Sequence, residues 1–290
     1  MQIDTAQIAT STRPQWRMIR ALSNHWPEYL SEAAGLGTFM ISACAFAVLL
    51  GHPSSPVHQA IDSALLRSML AGIAMGLTLL AIVFSPFGQR SGAHLNPSIT
   101  LDYWLLGKIE GADAAWYAIA QFTGGILGVF LADRLIGFPL RHSAVNYAVT
   151  APGPAGRIVA FAAEFTIALI LMLTILVTSN HRMLTSYTPF FAASLVALYL
   201  TIESPLSGMS MNPARTFASA FVAMDWTALW VYFTAPPLAM VTAGWLYRKR
   251  HGAHSVLCAK LHHDNDKRCI FRCEYALMYR GSSRTRVTSA

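Results

Sequence analysis

The protein has 290 residues, of which 54% are hydrophobic and only 12% charged, with a formal net charge of +7. A water-soluble domain carries about a quarter charged residues, so the composition excludes an ordinary soluble module and indicates a chain that crosses a membrane several times. Ten of the 21 Lys and Arg lie from Arg248 onward, and no basic stripe alternates with stacking aromatics, so the positive charge belongs to a membrane-surface tail and no nucleic-acid partner is expected.

Residues 1–27 are polar, include Arg13, Arg17 and Arg20, and lack the short apolar core and small-residue cleavage site of a removable signal. A spanning helix needs about 20 mostly apolar residues. Six such stretches occur, near 28–50, 66–87, 113–133, 158–179, 187–205 and 227–248. Two further apolar pieces, near 96–106 and 212–222, are too short to span. Each begins at Asn-Pro, and proline suits a first helical position because its missing N–H costs nothing there. They read as buried re-entrant half-helices. The predicted fold is an all-α membrane protein of six spanning helices and two half-helices.

Each half-helix comes after the second helix of a three-helix set, which makes the chain an internal repeat, with halves at about 28–148 and 158–248 and a seam at Val149–Gly156. Glu32 and Glu164 open the two halves, each a lone carboxylate in an apolar span. Such a group is expensive and faces a polar interior. An odd number of spans per half makes the second half start from the opposite side of the membrane, so the halves are expected to have opposite orientation. Placing both termini inside puts Arg13, Arg17, Arg20, Arg90, Lys108, Arg182 and the tail on one side, against Arg67, Arg134, Arg141 and Arg157 on the other. This predicts a multi-pass protein of the plasma or inner membrane with both termini cytoplasmic. Gly124 and Gly128 form a small-xxx-small face for close helix contact.

The motifs Ser91-Gly-Ala-His-Leu-Asn-Pro-Ser98 and Met209-Ser-Met-Asn-Pro-Ala-Arg215, with the two glutamates, Gln121 in Ala120–Gly124, and Trp230-Val-Tyr232 leading to Pro236, resemble the aquaporin (major intrinsic protein) family over about residues 28–248. The resemblance implies a passive channel for water and small uncharged solutes that excludes ions and protons. It also implies a homotetramer with one pore per protomer, lipid around it and no cofactor. Two half-helices meeting at their N-termini aim positive dipole ends at the pore centre and penalise cations there. Asn96-Pro97-Ser98 and Asn212-Pro213-Ala214 would stand at that centre, each Asn presenting an amide donor or simply capping its helix. Ser98 replaces the usual alanine; it is nearly isosteric and its hydroxyl can bond back to a helix carbonyl, so the pore is expected to survive. Glu32 and Glu164 are expected to accept N–H groups from the loops before the half-helices.

By the same resemblance Arg215 belongs to an outer constriction. Spacing adds Met209 and Leu200, or Tyr199 if the register slips by one. In the second helix, matching Gly76-Leu77-Thr78 gives Met75, whereas counting back from Asn96 gives Gly76; Met75 is preferred because Phe84–Arg90 holds one extra residue. Strict water pores of the family carry an aromatic and a histidine here, and glycerol-conducting members a bulky aromatic pair and often Asp after the arginine. This chain has neither set, and Thr216 comes after its arginine. The filter Arg215–Met75–Leu200–Met209 suits small uncharged solutes with an apolar side.

Residues 249–290 form a basic tail outside the resemblance. Cys258, His262, Cys269 and Cys273 are its candidates for metal binding or redox sensing, although structural zinc sites are usually more tightly spaced. The chain carries no catalytic triad, nucleotide loop or metalloprotease motif, so it is not read as an enzyme. An ion-coupled secondary transporter also uses inverted repeats and broken helices, but the sequence offers no acidic relay beyond the matched glutamates. A channel regulated through its tail is the other alternative.

Overall fold

A computed structural model of the protein describes residues 14–280. Arg13 and the outer ends of the two polar segments, 1–13 and 281–290, lie outside the described residues. The elements are α1 (Pro14–Gly51), α2 (Ala64–Phe84), the short α3 (Pro97–Leu105), α4 (Gly111–Ile136), α5 (Arg157–Ser179), α6 (Thr188–Ile202), the short α7 (Pro213–Ala223) and α8 (Leu229–His251). Brief helical turns join them, and no strand occurs among the described residues. Among the described residues, six helices are long and apolar enough to cross a membrane, α6 counting with the 3₁₀ turn before it.

These elements fall at the predicted places to within a few residues, except that α1 begins at Pro14, well inside the segment expected to be a polar arm. At 38 residues α1 is about 57 Å long, nearly twice the ~30 Å hydrocarbon thickness. Its first turns therefore stand in the polar phase, and Pro27 is accommodated inside the helix. Nothing before Pro27 stops a helix, which is why it propagates back from the membrane.

The halves pack alike. In the first half α1 lies along α4, and in the second α5 lies along α8, while α2 and α6 pair across the seam. Small residues set the distances. A Cβ on Gly124 would stand 2.2 Å from the Ala33 carbonyl oxygen, and one on Gly128 2.4 Å from that of Gly37. Across the seam, a Cβ on Gly72 would stand 2.3 Å from the Ala197 carbonyl oxygen. Such contacts let helix backbones approach closely where lipid supplies no hydrophobic drive for association. The half-helices are thereby pressed together at the centre of the bundle.

Candidate functional site: a pore built twice

Each half-helix begins at an extended Asn with Pro next in the chain. Asn96 Oδ1 accepts from Ser98 N at 2.9 Å, and Asn212 Oδ1 accepts from Ala214 N at 3.0 Å and Arg215 N at 3.3 Å. Both asparagines are therefore helix caps. Each also reaches across the repeat. Asn96 Nδ2 donates to the Met211 carbonyl at 2.7 Å, and Asn212 Nδ2 donates to the Leu95 carbonyl at 2.6 Å. A primary amide carries two N–H donors, so one remains on each asparagine beside the cavity that both line. Capping and pore lining are thus compatible, because they use different atoms.

The loops before the half-helices have matched, unusual backbones. Gly92, Ala93 and Leu95 adopt positive φ in one, and Gly208, Met209 and Met211 in the other. Such conformations are uncommon for residues with a side chain and persist only where the surroundings hold them. The glutamates do the holding. Glu164 accepts from Ser210 N at 2.7 Å, Met211 N at 2.7 Å and Ser207 Oγ at 2.8 Å. Glu32 accepts from Leu95 N and, at 2.8 Å, from Gln121 Nε2. Tyr117 and Tyr232 hydroxyls then donate to the Ser91 and Ser207 carbonyls at 2.6 and 2.5 Å, the same contact made once per half.

Ser98 behaves differently from expectation. It is buried, but its hydroxyl has no hydrogen-bond partner. The carbonyls that a serine hydroxyl reaches lie three and four residues earlier; here they are those of Leu95 and His94, before the half-helix begins, and that of Leu95 already accepts Asn212 Nδ2 at 2.6 Å. Ser98→Ala removes an unsatisfied buried group, so stability in detergent is expected to stay level or rise by about 1 kcal/mol. A lowered unfolding temperature would show that the hydroxyl has a partner.

Two cavities meet at Phe39, Val196 and Met209, and the asparagines line one of them. The larger, called outer after the orientation expected from the charge bias, has a volume of about 420 Å³ and is lined by Met75, Leu200, Met209 and Arg215 among others. Arg215 Nη1 is buried without a partner. Gly76 and Tyr199 do not line it. Gly76 instead faces the Ala193 carbonyl, 2.8 Å from where a Cβ would stand. Leu200 shares a helix face with Val196, four residues earlier, which lines both cavities. The inner cavity is smaller, about 80 Å³, and mostly apolar.

A family profile described as Major intrinsic protein matches residues 19–247. The chain belongs to the major intrinsic protein family. Among its curated relatives, probable aquaporin NIP7-1 of Arabidopsis thaliana is 33% identical over 179 residues, 61% of this chain and 62% of the relative. Aquaporin NIP1-1 of the same plant is 31% identical over 219 residues, 73% of this chain and 70% of the relative. The chain thus spans a little under two thirds of the first relative's length and a little over two thirds of the second's. The X-ray structure of the aquaglyceroporin from Plasmodium falciparum superposes with a TM-score of 0.62 at 21% identity, covering 78% of this chain and 96% of the other, a likeness of fold.

Sequence reasoning missed three features of this major intrinsic protein. Arg67 lines the outer cavity, its guanidinium pinned to the Ile61 carbonyl and, at 3.0 Å, to that of Asp62. The signal was present, because Arg67 lies on the side that charge bias should leave poor in arginine. His94, inside the first motif, lines the inner cavity and is fixed by Thr100 Oγ1 at 3.0 Å and the Ala259 carbonyl at 2.8 Å. Leu261, from the tail, also lines that cavity. Periodicity carries no information on where a tail without helix or strand folds.

The tail corrects one assignment. His262 does not join the cysteines; its ring packs edge-on against Phe84 at 4.9 Å. His263 takes the place beside Cys258, Cys269 and Cys273. Asn265 turns the chain here, donating from Nδ2 to the His262 carbonyl and from N to the His263 carbonyl, both at 2.8 Å, so the two adjacent imidazoles face apart.

Proposed function

We propose that the chain works as a passive channel for water and for small uncharged solutes with an apolar side, with Met75, Leu200, Met209 and Arg215 as its selectivity filter. The observation that carries this reading is the outer cavity, where the unpartnered donor of Arg215 shares a wall with two thioethers and a leucine. An unpaired buried donor favours a solute oxygen, and methionine adapts to an apolar carbon face at small cost. Fixed positive charge at Arg215 and the half-helix N-termini opposes cations. Glu32 and Glu164 act as supports for the carbonyl strings, since each accepts backbone N–H groups of the loop before a half-helix.

Stopped-flow light scattering on proteoliposomes, with water, glycerol, urea and ammonia compared side by side, tests the reading. Flux is expected to persist when proton and sodium gradients are collapsed, and flux that vanishes would identify a coupled transporter. Met209→Ala widens the filter, so glycerol permeability is expected to rise by about tenfold, as ~1.4 kcal/mol less barrier implies, with a smaller change for water. Equal changes in both would place the narrowest point elsewhere. The working assembly is a homotetramer in the plasma or inner membrane with both termini cytoplasmic, a reading that rests on family resemblance and on the bias of Arg and Lys. Native mass spectrometry and protease protection of the tail check these two points.

A further inference from the structure

The tail turns back after α8 at Gly252, which has a positive φ, and is seated under the mouth of the pore. Leu261 N donates to the Gly92 carbonyl at 3.1 Å, and the Ala259 carbonyl receives His94 Nε2 at 2.8 Å. Phe271 stacks on His94 with ring centres 5.2 Å apart. Leu257 N donates to Asn180 Oδ1 at 2.7 Å, and Arg272 N to the Lys108 carbonyl at 2.9 Å. Val256, Cys258, Ala259, Leu261 and Phe271 are buried and belong to the same apolar core as the spanning helices. Leu261 closes the inner end of the small cavity at the asparagines. This segment therefore occupies the route that a solute would take.

Nothing in its regular structure explains why it is ordered. Between Gly252 and Tyr275 it has neither helix nor strand, and a segment of this kind usually needs a cross-link or a metal to hold one shape. Its three cysteines are free. They converge with His263, and the four potential ligand atoms all lie within 4.8 Å of one another. Cys258 Sγ and Cys269 Sγ are 3.6 Å apart, close to the ~3.8 Å between two corners of a tetrahedron with metal–sulfur bonds of about 2.3 Å. His263 Nε2 lies 2.9 Å from Cys273 Sγ, and the His263 ring is stacked on Tyr275 at 4.1 Å, which fixes its orientation. The set joins both limbs of the tail, 258–263 and 269–273. Three thiolates around a dication leave one negative charge.

We propose that Cys258, His263, Cys269 and Cys273 form a tetrahedral zinc site that fastens the tail as a plug across the inner mouth of the pore. Thiolates with one imidazole are a soft donor set that suits zinc over magnesium or calcium. Because the donors come from two limbs that share neither helix nor strand, binding the metal and ordering the plug are coupled. The site stands on its own geometry, whereas its effect on flux rests on the channel reading above.

The test uses the full chain, purified without chelator, with zinc measured by mass spectrometry of the metal and plug folding measured by trypsin cleavage after Lys260. About one zinc per chain is expected, lost in Cys269→Ser and in His263→Asn, with Lys260 protected when zinc is present and cut when it is stripped. Cobalt replacing zinc is expected to give the intense visible bands of tetrahedral thiolate coordination. Stripping zinc from proteoliposomes is expected to raise water or glycerol permeability severalfold, and restoring zinc to reverse it. A chain that holds no zinc even after zinc is added, or one with a Cys258–Cys269 disulfide in its place, overturns the site. Zinc bound and Lys260 released on stripping, with an unchanged but measurable permeability, overturns the plug. Absence of any permeability in both states counts against the channel reading and leaves the zinc and trypsin results to decide the site.

Discussion

Replacing Gly124 with valine is expected to leave no folded channel. Its Cβ would stand 2.2 Å from the Ala33 carbonyl oxygen, 2.5 Å from Ala33 Cα and 2.6 Å from the Ala33 carbonyl carbon. All three are backbone atoms of α1, so no side chain can rotate away and the helices must separate. Separation pulls Gly128 off Gly37 one turn further along, and with it the contact that presses α1 onto α4. A steric clash of this kind, spread over a helix interface with no apolar drive to restore it, is expected to cost more than about 4 kcal/mol. Gly124→Ala should be milder but still destabilising, whereas Leu127→Ala, on the exposed face of the same helix, should be near neutral. Fluorescence-detected size exclusion of the three variants checks this ordering. A monodisperse, fully stable valine variant would show that α1 and α4 are not as close as the glycines require.

Glu164→Ala is expected to abolish conduction and to lower stability by on the order of 5 kcal/mol, because three buried donors each lose a partner at about 1–3 kcal/mol. Those donors, Ser207 Oγ, Ser210 N and Met211 N, belong to the loop that holds Met209 and Met211 at positive φ. The loop has no second acceptor for its two N–H groups among the described residues, so its carbonyls would turn from the pore. Glu164→Gln keeps the shape but offers one oxygen where two are used, and it is expected to fall between wild type and alanine. Glu32→Ala should be less severe, since one backbone donor and Gln121 depend on it. Thermal unfolding in detergent and water permeability, measured on the same samples, report both effects. A Glu164→Ala channel with normal permeability would mean that the loop is held by something other than the carboxylate.

The repeat was legible in the chain because its physics is local. Asn-Pro begins a helix wherever it sits, about 20 apolar residues make a span, and a carboxylate inside such a span must find donors. Those rules place α1 to α8, the two asparagines and the two glutamates. The lining of the proposed filter was only half legible. Counting along the chain left Met75 against Gly76 and Leu200 against Tyr199 open, because a helix turns 100° per residue and one residue of loop changes which side chain points inward. Packing distinguishes the two: Gly76 is pressed on the Ala193 carbonyl, whereas Met75 lines the outer cavity.

By itself, then, the sequence determined the membrane class, the inverted repeat, the paired half-helices and the family likeness, since each comes from composition or from short motifs. Tertiary structure alone decided how the two asparagines divide their atoms between capping and cross-bonding, that Ser98 has no partner, that Arg67 and His94 each line a cavity, and that His263 rather than His262 faces the cysteines. It also decided that the tail packs on the loop before the first half-helix, with Leu261 lining the small cavity. The reason is common to all of these. They depend on contacts between residues tens to hundreds of positions apart, such as Leu261 with Gly92 and His94 with Ala259, and no local period or propensity records which distant backbone a side chain will meet.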